Sequence, residues 1–144
     1  KELTTKYKAS GDFAMAYVIA HEVCHHVQNE LGILGKYHRM QQGLSEKERN
    51  AISVRIELQA DYLAGVWARS IQDRNLLDIG DIEEAMNAAH AVGDDTLQEQ
   101  AYGYSVPDSF THGTSEQRMR WFKRGYQYGE LQHGDTFSLS DSEL

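Results

Sequence analysis

Apolar residues recur at helical spacing through most of the chain. The stretch "FAMAYVIAHEVCHHVQNEL" follows Asp12, a residue able to cap a helix, and runs about five turns before Gly32 offers a left-handed stop. Residues 32 to 44, "GILGKYHRMQQGL", hold three glycines and no period, so they read as a connecting loop. Ser45 followed by Glu48 is a capping-box pattern opening a second long helix, "EKERNAISVRIELQADYLAGVWARSIQ", in which Ile52, Ile56, Leu63 and Val66 fall at helical spacings. Gly80 and Asp81 open a third helix through "IEEAMNAAHAV" to Gly93, and only a short turn is expected in "DDTLQEQAYG". "SVPDSFTHG" is a loop around the single proline, after which Thr114 or Ser115 caps a last helix, "EQRMRWFKRGYQY", with Met119, Phe122 and Tyr126 on one face. The polar stretch that follows, with residues 131–144, is expected to be a flexible tail. The pattern predicts a mainly α fold, and 144 residues at 40% hydrophobic suffice for one domain spanning 1–144.

Charge and cysteine usage narrow the function. The net charge is -8, from 22 acidic against 14 basic residues with no dense basic cluster, which argues against nucleic acid or an anionic membrane as partner. No apolar run reaches the roughly 20 residues of a membrane span. Cys24 stands alone, so no internal disulfide forms and the compartment stays open. The chain starts at Lys1 rather than Met and reads as the C-terminal part of a longer protein, with an upstream signal or anchor left open.

The first helix places ionisable groups directly after a run that ought to be buried, and burial of unpaired charge is costly. His21-Glu22-Val23-Cys24-His25 fits H-E-x-x-H. Four residues of helix advance 400°, so both imidazoles leave one face about 6 Å apart along the axis, a spacing suited to two ligands of one zinc ion. Glu22 lies about 100° around from His21, badly placed to ligate but well placed beside a metal-bound water as general base. The motif alone also arises by chance, with its histidines hydrogen-bonded in a core. A catalytic zinc needs a third protein ligand.

That ligand is sought in "RIELQADYLAG", where Glu57 and Asp61 share a face among Ile56, Ala60, Ala64 and Val66. Acidic pairs ordinarily mark a solvated face. The apolar flanks favour packing, and one arrangement serves all four groups: Glu57 as third zinc ligand and Asp61 accepting from the free ring nitrogen of a ligating histidine, best His21.

With those residues in place, "GDFAMAYVIAHEVCHHVQNELGI", "ELQADYLAGVWA" and "THGTSEQRMRWFKRGY" resemble, in order and across nearly the whole chain, the putative neutral zinc metallopeptidases of bacteria, which carry a gluzincin-type site. The resemblance implies a zincin-like helical domain, a zinc-dependent protease, zinc on His21, His25 and Glu57, and Glu22 as catalytic residue. It further suggests a full-length protein that is membrane-anchored or extracytoplasmic. The succession of H-E-x-x-H, E-x-x-x-D and "THGTSEQR" is also similar to that of the CAAX prenyl proteases and their heat-shock membrane relatives. By that likeness His112 would stabilise a developing oxyanion and Arg118 would brace a carboxylate such as Asp61. A loop histidine capping the next helix is the equal alternative for His112.

Two departures from the family pattern stand out. Cys24 occupies a position usually held by glycine; it is either an added metal-reactive group or a small core residue, and the second is favoured because a helix cannot readily aim positions 21, 24 and 25 at one tetrahedral ion. Family members also carry a strand before the active-site helix, along which an extended substrate can add. No strand pattern precedes Asp12 here, so the cleft is expected to be incomplete, with an apolar surface that self-association could cover. His26 should be structural or exposed; His38, His90 and His133 lack partners at ligand spacing. Trp67, Trp121, Phe122, Tyr126 and Tyr128 read as core. The expected reaction is hydrolysis of a peptide bond in a peptide or protein substrate; the alternative is an inactive binding module whose zinc only staples helices together.

Overall fold

The computed structural model describes residues 12–74 and 80–144, with side chains from Phe13 onward in the first stretch. Among these residues there are six α-helices, three short 3-10 turns and no strand, a mainly α architecture. The helices are α1 (Asp12–Glu30), α2 (Ile33–Gln41), α3 (Glu46–Asp73), α4 (Asp81–Ala91), α5 (Asp94–Tyr102) and α6 (Ser115–Tyr128). The cap expected of the Asp12 side chain lies outside the described residues.

α3 is the axis of the molecule. Its Ser45 hydroxyl accepts from the Glu48 backbone N–H while the Glu48 carboxylate accepts from the Ser45 N–H, closing the capping box read from the sequence. One side of α3 packs on α1, and α4 packs on α1 and α6, so that Ala60, Ala64 and Ala68 share one cluster with Ala14, Ala20, Ala85, Ala88 and Ala89, with Phe13, Tyr17 and Phe122 filling the gaps. The other presents Val54, Leu58 and Tyr62 to Phe110, Trp121 and Leu144. Leu58 and Phe122 are fully buried, each worth about 1.5–3 kcal/mol of transfer free energy.

The crossing of α3 and α6 is made by backbone. A Cβ on Gly65 would overlap the Phe122 carbonyl oxygen, and one on Gly125 would overlap that of Tyr62. Only glycine at both positions lets the helices approach so closely.

Several segments depart from the sequence reading. Residues 33–41 are not loop but α2, entered directly from α1 through Gly32 at φ 80. None of its residues is buried, so no apolar period marked it. It is held instead by Tyr37 stacked on Phe137 at 3.7 Å and by Gln41, whose Nε2 donates to the Arg49 carbonyl and the Ser53 hydroxyl. "DDTLQEQAY" is a nine-residue helix, α5, rather than a short turn. Its first turn is fixed by Asp94 and Asp95 accepting backbone N–H groups of the loop before α6 and of Ser115, the first residue of α6. Residues 131–144, expected as a flexible tail, lie against α3 and α6: the Thr136 hydroxyl donates to the Arg55 carbonyl at 2.6 Å, and Trp121 Nε1 donates to the Leu144 carbonyl at 3.0 Å. These contacts use backbone carbonyls and isolated side chains, which leave no periodic mark. Of the aromatic set, Trp121 and Phe122 are buried and Trp67 and Tyr126 half-buried, but Tyr128 is exposed because it falls where α6 ends at Gly129.

Candidate metal centre

Helix geometry delivers His21 and His25 to one face of α1, and the packing of α1 on α3 sets Glu57 opposite them. His21 Nε2 lies 2.9 Å from Glu57 Oε1, His25 Nε2 lies 3.1 Å from the same carboxylate, and the two Nε2 atoms are 3.1 Å apart. Three donor atoms from two helices therefore converge on one point. Behind them Asp61, fully buried, ties the site to the core: Oδ1 receives Tyr17 Oη at 2.6 Å and faces His21 Nδ1 at 2.7 Å, while Oδ2 accepts from Arg118 Nε at 2.8 Å. Arg118 also donates from Nη1 to the Val92 carbonyl, joining the end of α4 to the same network.

The electrostatics follow from this packing. Burial pushes the Asp61 carboxyl up, but the Arg118 charge and His21 overcome it and hold it at about 2. Burial pushes the His21 imidazolium down, yet Asp61 and Glu57 more than offset that and raise it to about 9 in the metal-free protein. Burial likewise works against the Glu57 carboxylate, and hydrogen bonds from His21 and His25 carry it far below the usual carboxylate range.

This arrangement coincides with a family match. The chain matches, over residues 1–137, the family described as putative neutral zinc metallopeptidase. The protein belongs to that family. Its relatives in this zinc metallopeptidase family include a protein of Escherichia coli K12 named uncharacterized protein YpfJ, 55% identical over 139 residues, covering 96% of this chain and 48% of that protein. Another is uncharacterized protein Rv2575 of Mycobacterium tuberculosis H37Rv, 43% identical over 150 residues, covering 96% of this chain and 50% of the relative. The chain thus spans about half the length of the curated relatives it matches. No solved structure matches it significantly.

The donor set suits the metal in the family's name. Zinc bound tetrahedrally at about 2.0–2.1 Å separates its ligand atoms by about 3.3 Å. The three atoms here are 2.9 to 3.1 Å apart, already aimed at a common centre by imidazole and carboxylate groups of the right kind.

Other residues singled out from the sequence fall around this centre. Glu22 is exposed on the rim of a cleft of about 200 Å³ that His21, Glu57, Tyr17, His112 and Arg118 also line, with Leu97 and Val92 as apolar walls. It makes no hydrogen bond to any described residue. His112 hangs over the cluster with Nε2 3.8 Å from Glu57 Oε1 and is 48% exposed, so its ring faces the cleft and is not buried as a helix cap; the cap of α6 is Thr114. Cys24 is buried in the apolar cluster, outside the donor group, and burial followed by the Asp61 charge pushes its thiol up to about 12. His26 is 72% exposed.

Three contributors escaped the sequence reading. Tyr17 lies one turn before His21, in a run that reads only as apolar. Gln28, fully buried, faces His25 Nδ1 with Oε1 at 2.7 Å; its place three residues beyond His25 on the same face was the available signal. Asp94 binds the loop that carries His112, its Oδ2 accepting the backbone N–H groups of Thr111, His112 and Gly113 at 2.9, 2.7 and 3.0 Å. No spacing rule links position 94 to position 112.

Proposed function

We propose that this protein is a zinc-dependent peptidase in which His21, His25 and Glu57 hold the metal and Glu22 is the general base. The observation that carries the reading is the convergence of three donor atoms from α1 and α3 beneath an open cleft whose rim bears the carboxylate of Glu22, without a hydrogen-bond partner among the described residues. A site serving only to staple helices would need neither the cleft nor that carboxylate.

Zinc, when bound, supplies Lewis acidity toward a peptide carbonyl and makes water a stronger acid. The chain's residues do the rest. Glu22 takes the proton of the attacking water and passes it to the amine nitrogen as the C–N bond breaks. His112 presents Nε2–H to the carbonyl oxygen as negative charge grows there. Asp61, held by Arg118 and Tyr17, accepts the Nδ1–H hydrogen bond of His21, which leaves the Nε2 lone pair of that ring available to a metal. Leu97, Val92 and the ring of Tyr17 keep bulk water from one side of the cleft. The substrate is a peptide or an extended stretch of protein.

Elemental analysis after dialysis against a weak chelator, paired with a peptide-hydrolysis assay, tests the reading. About one zinc per chain is expected, lost in His21→Ala and Glu57→Ala. Glu22→Gln should keep its zinc while hydrolysis falls by at least about 100-fold, the scale of a general base. Zinc retained by the ligand variants, or full activity in Glu22→Gln, would overturn it.

A further inference from the structure

Gln28 is completely buried, and its partners determine which end of the amide is which. Its Nε2 lies 2.9 Å from the backbone carbonyl oxygen of Ile56 and 2.9 Å from Gln59 Oε1. A carbonyl oxygen only accepts, so the NH2 end must point there. The Gln59 amide is oriented in the same way, because its Nε2 meets the Gly134 carbonyl at 3.1 Å, which turns Oε1 toward Gln28. Gln28 Oε1 is thereby left facing His25 Nδ1 at 2.7 Å, and that ring nitrogen must be the donor. The neutral ring then has its lone pair on Nε2, the atom 3.1 Å from His21 Nε2 and from Glu57.

We propose that Gln28 is a positioning residue of the metal centre: its amide, clamped by Ile56 and Gln59 of α3, holds the Nδ1 proton of His25 and aims Nε2 at the metal. The inference rests on the zinc reading above and adds to it the group that prepares the second histidine. Asp61 does the equivalent for His21 with a carboxylate. An amide serves His25 without placing a third negative charge beside Glu57 and Asp61. Because Ile56 directly precedes Glu57, the same clamp also fixes the approach of the histidine helix to the residue that completes the site.

The test is zinc affinity, measured by competition with a chromogenic chelator, together with nitrogen-15 spectra of the histidine rings in the zinc-loaded protein. Gln28→Met keeps the bulk and removes the acceptor; affinity should fall by about 10–100-fold, the usual cost of losing a hydrogen-bond partner behind a metal ligand. Gln28→Glu keeps an oxygen facing Nδ1; its second oxygen, set against the Ile56 carbonyl and Gln59 Oε1, must carry a proton there, so the buried side chain stays neutral like the amide and should recover most of that loss. Gln59→Met leaves the Ile56 contact intact and should change affinity far less than Gln28→Met. In the wild-type spectra His25 should show a slowly exchanging proton on Nδ1 and ligation through Nε2, a measurement that needs no variant to fold. His25 ligating through Nδ1, unchanged affinity in Gln28→Met, or Gln28→Glu as weak as Gln28→Met would each overturn the proposal, the last by making Gln28 a strut between helices. A wild-type protein that holds no zinc would instead overturn the zinc reading and this inference with it, whereas zinc held through all three ligands with no dependence on Gln28 defeats this inference alone.

Discussion

Asp61 of α3 and Arg118 of α6 form an ion pair sealed from water, Nε to Oδ2 at 2.8 Å, with the aspartate fully buried and the arginine 4% exposed. Removing one partner leaves a charge where water cannot reach it, which typically costs about 3–5 kcal/mol. Arg118→Met should therefore lower stability in denaturant titrations by about that much. Arg118→Lys should lose less but not recover wild type, since one ammonium cannot serve Asp61 and the Val92 carbonyl in the geometry of the guanidinium fork. An Arg118→Met protein as stable as wild type would show that Asp61 finds another partner or takes up a proton at little cost.

If the proposed zinc site is right, His21 should give stability and zinc uptake opposite dependences on pH. In the metal-free protein its folded-state pKa is raised from 6.5 to about 9, because Asp61 and Glu57 outweigh the effect of burial. A raised pKa stabilises the fold fully below the unfolded value, so this contribution is present below about pH 6.5 and is lost as pH rises through about 9. Zinc requires the ring without its Nε2 proton. The chelator-stripped protein should thus melt at lower temperature at pH 9 than at pH 6.5, while zinc affinity rises across the same interval. Calorimetric titration of zinc at pH 7 in buffers of different ionisation enthalpy should report release of about one proton or more. Zinc uptake with no proton release would mean that His21 is already neutral.

The parts of this molecule that were legible from sequence are those with a local signature. His21, Glu22 and His25 are set by the spacing within one helix, and the Glu57–Asp61 pair by its misfit with apolar neighbours in another. The capping box at Ser45 marks one helix start because both partners lie within three residues, and the last helix is narrowed to a cap at Thr114 or Ser115, of which the structure uses Thr114. What escaped is held by distant partners. α2 buries nothing and depends on Phe137, a hundred residues downstream of Tyr37. The Asp94 carboxylate and the chain of amides from Gly134 to Gln28 have no periodicity, since each contact joins residues whose separation follows only from the tertiary packing. Glycines 65 and 125 carry no local mark of their role, which lies in the contact of two backbones.

His112 owes its position to Asp94, which accepts three consecutive backbone N–H groups of its loop. If His112 steadies the charge that develops on the carbonyl oxygen, His112→Ala should lower kcat by about 100-fold or more. Asp94→Ala should move kcat in the same direction by releasing the loop, since a displacement of about 1 Å is enough to cost a comparable factor. Zinc content should stay unchanged in both, because neither side chain belongs to the donor group. The double variant should be little worse than the weaker single one, as expected for residues acting through one another. Additive losses would mean that Asp94 and His112 contribute independently.

The crossing of α3 and α6 yields the sharpest contrast between two glycines. Gly125 lies two turns beyond Arg118 on α6, and Gly65 one turn beyond Asp61 on α3, so the backbone contact and the buried ion pair belong to one interface. A methyl at position 125 would strike the Tyr62 carbonyl, which is helix backbone and cannot swing aside. Gly125→Ala must therefore push the helices apart, costing about 3 kcal/mol or more by overpacking, and drawing Arg118 away from Asp61. Weaker zinc retention should accompany the lower stability, because Asp61 orients His21. Gly35, inside α2, is the counterpart: a Cβ there meets only the end of the Arg39 side chain, at 3.3 Å, and that chain is free to move. Gly35→Ala should raise stability by about 0.5–1 kcal/mol through helix propensity, with zinc binding unaltered. Thermal melts of both variants beside wild type, with and without zinc, measure the two signs; a harmless Gly125→Ala would show that α3 and α6 can separate without disturbing the metal centre.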